Sequence, residues 1–344
     1  MTPIYNQLLI PFLTAMAVAI TMGGSGTAPA FSASYGANVM RKSLIPGLFG
    51  IMVFVGAFLA GKKTASTMGS GILPAEYMDF TVVSIALFSI AVTMLISNIS
   101  GIPQSTSQAA VLALAAPALY FNKLDTHNLF IEIIPAWFIL PIISYFLSFF
   151  AGKYIYQPMR RRGLTIQRAQ NENKRHIWEV VLVIMALYVS FAIGSNNVAN
   201  AAGPLYTMTI NELHIRESDH IVILMLATLV VAPCFGIGAS LFGHKILKNT
   251  GKEIILFGKF EAVIIAFISG SLLLLASVVK GIPTSLVQVN VAAILGIGVA
   301  KMGHKNIFRK TQVKRFFTMW MIAPVISFLL SLLLIFLADK ANLL

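Results

Sequence analysis

Long apolar runs recur along the whole chain, and they limit most strongly how it can fold. Of its 344 residues, 57% are hydrophobic and only 11% are charged, whereas soluble domains carry about 25% charged residues. A helix needs roughly 20 apolar residues to cross a membrane. Runs of that kind lie at 5–22, 43–61, 79–98, 129–151, 177–194, 219–243, 255–279 and 315–338. The sequence therefore predicts an all-α polytopic membrane protein, and the continuity of the runs argues against a β-barrel.

Four further segments are apolar but interrupted by Gly, Ala, Ser, Thr and Pro. They lie at 23–37, 101–120, 194–210 and 281–300. Irregular backbone is tolerated at membrane depth only where protein or a water-filled cavity satisfies its polar groups. We therefore expect discontinuous or re-entrant helices in these four places, and about 10–12 membrane segments altogether.

The two halves of the chain repeat each other, which predicts a duplicated architecture. Repeat 1 is expected at 1–151, a basic cytoplasmic linker at 152–176 and repeat 2 at 177–344. Three blocks align in order, at offsets of 182, 180 and 171 residues: GAFLAGKKTASTMGSGI with GASLFGHKILKNTGKEI, GIPQSTSQAAVLALAA with GIPTSLVQVNVAAILG and, more loosely, MGGSGTAPAFS with IGSNNVANAAG.

The basic residues predict the orientation in the membrane. If each half crosses five times, the loops near 41–42, 152–176, 244–253 and 301–315 share one side and carry 18 of 25 Lys and Arg residues. The loops at 62–78, 119–128 and 205–219, Lys280 and the C-terminus carry six. Cytoplasmic loops are the basic ones, so both termini are expected outside the cytoplasm, and the net charge of +13 reflects topology rather than nucleic-acid binding.

An odd number of crossings places the two halves upside-down to each other. Inverted-topology repeats with discontinuous helices, and a site where the repeats meet, are typical of secondary transporters. The single cysteine, Cys234, lies in an apolar run, and the six histidines lack ligand-like spacing. We therefore expect no metal site, no cofactor and no enzymatic activity.

The stretch AIGSNNVANAAGP, at 192–204, places amides inside an apolar segment. Asn196, Asn197 and Asn200 supply hydrogen-bond donors and acceptors, while Gly194 and Gly203 are expected to let the chain leave helical geometry. Where a helix restarts, its free N–H groups and positive dipole end form an anion site. The alternative is that small residues merely pack helices tightly.

The motif GIPQSTSQ follows the same reasoning. Pro103 suits a first helical turn, and Ser105, Thr106 and Ser107 place hydroxyls beside uncapped N–H groups. The second copy, GIPTSLVQ, keeps Ser285 but has Leu-Val in place of the Thr-Ser pair. The two copies therefore predict one anion site, built asymmetrically from both halves.

These motifs resemble the paired signatures of the inorganic phosphate transporter (PiT) family, roughly GANDVANxxG and GxPxSTTH in each half. GSNNVANAAGP and GIPQSTSQ match them closely, and the resemblance covers nearly the whole chain. It implies an inverted-repeat secondary transporter of a tetrahedral oxyanion that forms a homodimer. The family's aspartate falls on Gly26 and Asn197, and its histidine on Gln108 and Gln288. The chain looks like the sulfate permease branch of the family, whose first motif is similarly of a Gly-Ser-Gly type.

The missing aspartates favour sulfate, or its near-isostere thiosulfate, as substrate. Phosphate carries protons at neutral pH that a buried carboxylate can accept, whereas sulfate carries none and would only be repelled. We therefore predict a sulfate importer of the plasma membrane that works by alternating access. An inorganic phosphate:cation symporter and a passive oxyanion channel are the alternatives.

We assign roles to three groups of residues. The coupling ion is expected to be a proton or sodium, and acidic residues in or near the spans are the candidates for carrying a proton. The groups are, for substrate binding, Ser25, Gly26, Ser105, Thr106, Ser107, Asn196, Asn197, Asn200 and Ser285; for holding the hairpins or touching the anion, Gln108 and Gln288; and for coupling, Glu261, Glu132 and Glu179.

Overall fold

Helices make up almost all of the chain that the structure describes. The computed structural model describes residues 4–36, 39–100, 104–162, 172–244, 247, 258–309 and 311–344. The helices with both ends in these ranges are, in chain order, α1 Ile4–Gly36, α2 Ile45–Ala60, α3 Lys62–Ser70, α4 Phe80–Ser100, α5 Thr106–Tyr120, α6 Ile134–Ala151, α7 Gln157–Arg161, α8 Glu172–Asn197, α9 Ala199–Leu213, α10 His220–Leu241, α11 Lys259–Leu275, α12 Leu286–Met302, α13 His304–Phe308 and α14 Thr311–Lys340.

Eight helical stretches in the described chain are long and apolar enough to cross a membrane, and each coincides with a predicted apolar run. This agreement confirms the polytopic all-α fold. Two shorter apolar helices, α5 and α12, follow the two Gly-Ile-Pro motifs. The eight stretches are Leu8–Tyr35, Lys42–Ala60, Phe80–Ser100, Asn128–Arg161, His176–Leu213, Glu217–Leu241, Lys259–Lys280 and Phe316–Lys340.

Of the four predicted interruptions, the one at 23–37 is wrong over its described residues 23–36, and the one at 194–210 is limited to a single turn residue, Val198. Helix α1 runs without a break through 23–36, and α8 continues into α9 through Val198, whose backbone stays right-handed helical. Gly194 and Gly203 therefore do not release the chain from the helix. A Cβ on Gly194 would lie 2.0 Å from the Val53 carbonyl oxygen, so this glycine serves close helix packing, the alternative left open for this motif.

The other two interruptions produce helical hairpins, although residues 101–103 lie outside the described chain. At the far end of the first hairpin, Thr81 in α4 donates to the Leu343 carbonyl (3.0 Å), and Tyr120 in α5 donates to Asp339 (2.7 Å). Both arms therefore return to the C-terminal end of the chain. In the second hairpin, Glu261 in α11 pairs with Lys301 in α12 at 2.6 Å.

We interpret each half as three crossings and one returning hairpin instead of five crossings, because α5 and α12 are shorter than the eight candidate membrane stretches. The count stays odd, so the predicted loop sidedness is unchanged. Phe80 N donates to Glu212 (3.3 Å) and Asp125 N to the Ile72 carbonyl (3.2 Å), which joins loops 62–78, 119–128 and 205–219 on one face. The structure does not show which face is cytoplasmic.

Packing between the halves is reciprocal. Helix α12 packs on α6 while its counterpart α5 packs on α14, and α8 packs on α2 while α1 packs on α10. Within each half, α1 packs on α4 and α8 on α11. This exchange is what a duplicated unit produces when its copies interlock. The two hairpins enter from opposite ends of the bundle, as inverted repeats require, and the inversion itself stays a prediction.

Candidate functional site

The two hairpins present matching helix starts to each other. Ser105 and Ser285 are extended residues that cap α5 and α12, and each hydroxyl accepts from the backbone N–H three residues later at 3.3 Å. The first-turn N–H groups of a helix have no partner within that helix. Two positive helix ends therefore lie at the hairpin tips, which is an arrangement that favours an anion.

A reciprocal pair of amides joins the tips. Gln108 Nε2 donates to Gln288 Oε1 at 3.1 Å, and Gln288 Nε2 donates to Gln108 Oε1 at 2.9 Å. Ser107 adds a second link, because its hydroxyl donates to the Thr284 carbonyl at 3.1 Å. The structure thus brings the predicted hairpin residues into direct contact across the two halves.

Asn197 and Asn200 reach the first hairpin from the α8–α9 junction. Asn197 Nδ2 donates to Thr106 Oγ1 at 3.1 Å, and Asn200 Nδ2 donates to Ser107 Oγ at 3.2 Å. Both side chains are fully or almost fully buried. The amide motif and the hydroxyl motif, which are about 90 residues apart in the sequence, therefore form one cluster.

Asn196 binds mainly to the second hairpin, and its Oδ1 also accepts from Ser107 of the first hairpin at 3.4 Å. Its Nδ2 donates to Ser277 Oγ (2.8 Å) and to the Ile282 carbonyl (2.9 Å), and its Oδ1 accepts from Thr284 N (3.0 Å). The amide thus replaces the helix bonds that the chain loses where it turns at Gly281, whose φ of +67° suits glycine. These contacts hold the loop in place and leave Asn196 less able to meet a substrate.

Ser25 and Gly26 make no hydrogen bond to the hairpin starts among the described contacts. Ser25 donates to Asn98 Oδ1 at 2.8 Å, and Asn98 Nδ2 donates to the Thr21 carbonyl at 2.6 Å. A Cβ on Gly26 would lie 3.2 Å from the Phe49 ring. The degenerate first copy of the motif therefore fastens α1 to the last turn of α4.

The cluster is polar but contains no charged group in the contacts described. Its hydrogen bonds join hydroxyl, carboxamide and backbone groups, and Glu261 is the only charged side chain buried in the described part of the chain. Several buried oxygens of the described chain have no hydrogen-bond partner, and three of them belong to this cluster: Asn197 Oδ1, Asn200 Oδ1 and Thr284 Oγ1. Buried polar atoms nearly always have hydrogen-bond partners in native proteins, so these free oxygens indicate that the cluster can bind a polar ligand.

The three glutamates proposed for coupling form ion pairs with lysines, and none has a described hydrogen bond to the residues of this cluster. Glu261 pairs with Lys301 and Glu179 with Lys259, both at 2.6 Å, while Glu132 pairs with Lys280 at 3.4 Å. Glu261 lies in the first turn of α11 and Glu132 just before α6, at the ends of membrane stretches. The assignment of these glutamates to coupling stays a prediction.

Sequence reasoning missed Asn98, Thr284 and a third pair of repeated helices. Trp137 Nε1 donates to the Pro283 carbonyl (3.0 Å) and Ser144 to that of Val289 (2.8 Å), so α6 supports the second hairpin. A signal for this support was present in the sequence. The pattern Trp-x3-Pro-x2-Ser-x3-Ser starts at residue 137 and recurs at residue 320, an offset of 183 residues.

Comparison with known proteins shows which family the chain belongs to. The profile of the Phosphate transporter family matches residues 22–331. The chain belongs to this family. Sulfate permease CysP of Bacillus subtilis, one family relative, is 31% identical over 337 residues, which span 97% of this chain and 89% of the permease. A putative phosphate permease of Methanocaldococcus jannaschii is 25% identical over 315 residues, 91% of this chain and 92% of that protein.

A solved structure confirms the fold. The structure of a sodium-dependent phosphate transporter superposes with a TM-score of 0.83, covering 97% of this chain and 99% of that one at 19% identity. The membership in the Phosphate transporter family confirms the predicted resemblance. The chain is an integral, multi-pass membrane protein, as its apolar helices indicate.

Proposed function

We propose that the protein is a secondary active importer of sulfate that works by alternating access in the plasma membrane. The observation that carries this proposal is the meeting of two capped helix starts in a buried cluster of hydroxyls and amides without a charged side chain. Thr106, Ser107, Asn197 and Asn200 would contact the anion, together with first-turn N–H groups of α5 and α12. Such neutral donors suit a fully ionised dianion.

Asn196, Gln108 and Gln288 would act by holding the hairpin tips, and Ser105 and Ser285 by capping their helices. The caps accept from backbone N–H groups, so their hydroxyl hydrogens are still available to an oxyanion. Ser25 and Gly26 would act indirectly, by fixing α1 to the first hairpin. These roles keep the predicted set of residues but divide it between contact and support.

Cation coupling fits the same cluster better than the paired glutamates do. The unpartnered oxygens of Asn197 and Asn200 are acceptors, and acceptors suit a cation or a protonated group beside the anion rather than the anion itself. We propose that the coupling proton or sodium ion is bound here. Import of a dianion against a negative-inside potential gains from voltage only when more than two positive charges accompany it.

Uptake into proteoliposomes, with proton and sodium gradients imposed separately, tests the proposal. Labelled sulfate should accumulate under one of the gradients, and unlabelled sulfate or thiosulfate should compete for uptake. Counterflow with labelled phosphate should be weak. Transport of phosphate alone would overturn the choice of substrate while leaving the transporter assignment intact.

A phosphate:cation symporter is the second candidate, because relatives at 22–25% identity are described as putative phosphate permeases. The cluster argues against it, since no described contact supplies a carboxylate for the protons of phosphate. A passive oxyanion channel would show flux that ignores every cation gradient. We also propose a homodimer, which cross-linking in the native membrane can test.

A further inference from the structure

Two lysines converge beside the turn of the second hairpin. Lys280 is the last residue of the π-helical turn Ala276–Lys280, which extends α11, and its side chain is 61% exposed. Lys63, near the start of α3, donates to the Val279 carbonyl at 3.2 Å. Gly281 packs against the Lys63 backbone, where a Cβ would lie 2.8 Å from the carbonyl group. Both ammonium groups therefore belong to one small patch.

This patch is connected directly to the proposed anion site. Lys280 lies between Ser277 and Ile282, and both of these accept hydrogen bonds from Asn196, at 2.8 and 2.9 Å. Thr284, which donates its backbone N–H to the same asparagine at 3.0 Å, follows two residues after Ile282. The lysines thus sit about one helical turn from residues that line the hairpin tip.

The lysines keep most of their charge available. Lys63 donates to the Val279 carbonyl at the C-terminal end of the α11 extension, where the helix dipole favours a cation. A carbonyl, however, does not neutralise the charge of an ammonium group. Glu132 lies 3.4 Å from Lys280, and both side chains are exposed to solvent, at 36% and 61%. Exposed pairs of this kind hold together weakly, so an arriving anion can displace the carboxylate.

We propose that Lys63 and Lys280 form a collecting site that draws the oxyanion to the hairpin tip, and that Glu132 weakens it by opposing the anion. The inference rests on the proposed function and adds an entry step to it. Charged patches at the mouth of a cleft raise the local concentration of an oppositely charged substrate. A dianion responds about twice as strongly as a monoanion, because the interaction energy scales with the product of charges.

Initial rates of sulfate uptake in right-side-out and inside-out membrane vesicles test this site. Lys280→Gln and Lys63→Gln should each raise the KM by roughly 3- to 10-fold, with little change in maximal rate. Glu132→Gln should lower the KM. All three shifts should shrink in high salt, and should appear only for uptake from the face carrying loops 62–78 and 119–128.

Lys123→Gln is the matched control, since Lys123 lies on the same face but stacks over the Tyr77 ring at 5.6 Å. It removes the same charge and should leave the KM unchanged. An unchanged KM in both Lys63→Gln and Lys280→Gln, or an equal shift in Lys123→Gln, would overturn the collecting site. Absence of sulfate uptake by the unmodified protein would instead overturn the proposed function. Because Glu132→Gln is expected to gain affinity, a misfolded lysine variant cannot by itself produce the full pattern.

Discussion

The side chain at position 197 illustrates how one atom can set the charge of a site. Asn197 donates to Thr106 through its nitrogen and leaves its oxygen without a partner. Aspartate has nearly the same shape but carries a negative charge and cannot donate. In a buried site of neutral donors, that charge would face the sulfate dianion directly.

We expect Asn197→Asp to reduce sulfate uptake by at least about tenfold, because a tenfold loss needs only about 1.4 kcal/mol of repulsion. Labelled sulfate uptake at equal protein incorporation is the measurement. Asn197→Ser, which removes the amide without adding charge, serves as the control and should retain part of the activity. Unchanged uptake in Asn197→Asp would count directly against the site described here.

For single residues, the sequence predicts which side chains belong to the site better than it predicts what each of them does there. Asn196, Asn197 and Asn200 look alike in the motif, yet Asn196 has partners for both its amide nitrogen and its oxygen while the other two retain open oxygens. The division depends on which side of a helix faces which hairpin. That information lies in the packing between the two halves and is absent from the local spacing.

Among the helices, glycines determine how closely the two halves approach. Gly194→Ala should destabilise the fold by about 1–3 kcal/mol, because its Cβ would overlap the Val53 carbonyl oxygen. Gly47→Ala is the matched control in α2, since a Cβ there meets nothing within 4 Å. Thermal unfolding in detergent should separate the two variants by several degrees. Equal melting temperatures would contradict the close approach.

The amide pair between the hairpin tips should behave as one unit. Gln108→Leu and Gln288→Leu each leave a buried amide without its partner, whereas the double variant removes both. We expect the double variant to be less damaged than the sum of the single ones, with a coupling energy of roughly 0.5–3 kcal/mol. A double-mutant cycle on thermal stability measures it, and additive effects would refute the contact.

The hairpins could be predicted only in part. Gly-Ile-Pro followed by Ser and Gln predicts a broken helix with a capped restart, and α12 confirms it with Ser285 as the cap. The segments 23–36 and 194–210 have a similar composition but are helical, apart from the turn residue Val198. Glycine has no side chain to show whether it bends a helix or admits a neighbour, so only the neighbour at Val53 decides.

For the whole molecule, the distribution of basic residues predicts the orientation in the membrane, with both termini outside the cytoplasm. Cys234 is the single cysteine and is buried, so Cys234→Ala provides a background for labelling. In that background a cysteine at Asn342 should react with a membrane-impermeant maleimide from outside intact cells. A cysteine at Lys305 should react only after permeabilisation. The reverse result would invert the predicted topology and leave the fold unaffected.

The fold of the molecule was more predictable than its site because apolar length is a local property. Each of the eight apolar helical stretches could be read from its own residues. The connection between them could not, because three crossings with a hairpin and five crossings leave the same loops on the same side. The bonds between Gln108 and Gln288, at the starts of the two short helices, favour hairpins that meet, and they join residues 180 positions apart.

The self-complementary amides at the two tips also bear on how an unloaded carrier returns across the membrane. Gln108 and Gln288 satisfy each other without any third party. A contact between the tips that re-forms when the substrate leaves would close the water-filled path through which small ions could leak. In the proposed mechanism, this closure would protect the membrane potential while the carrier returns empty, whereas a passive channel would have no such step.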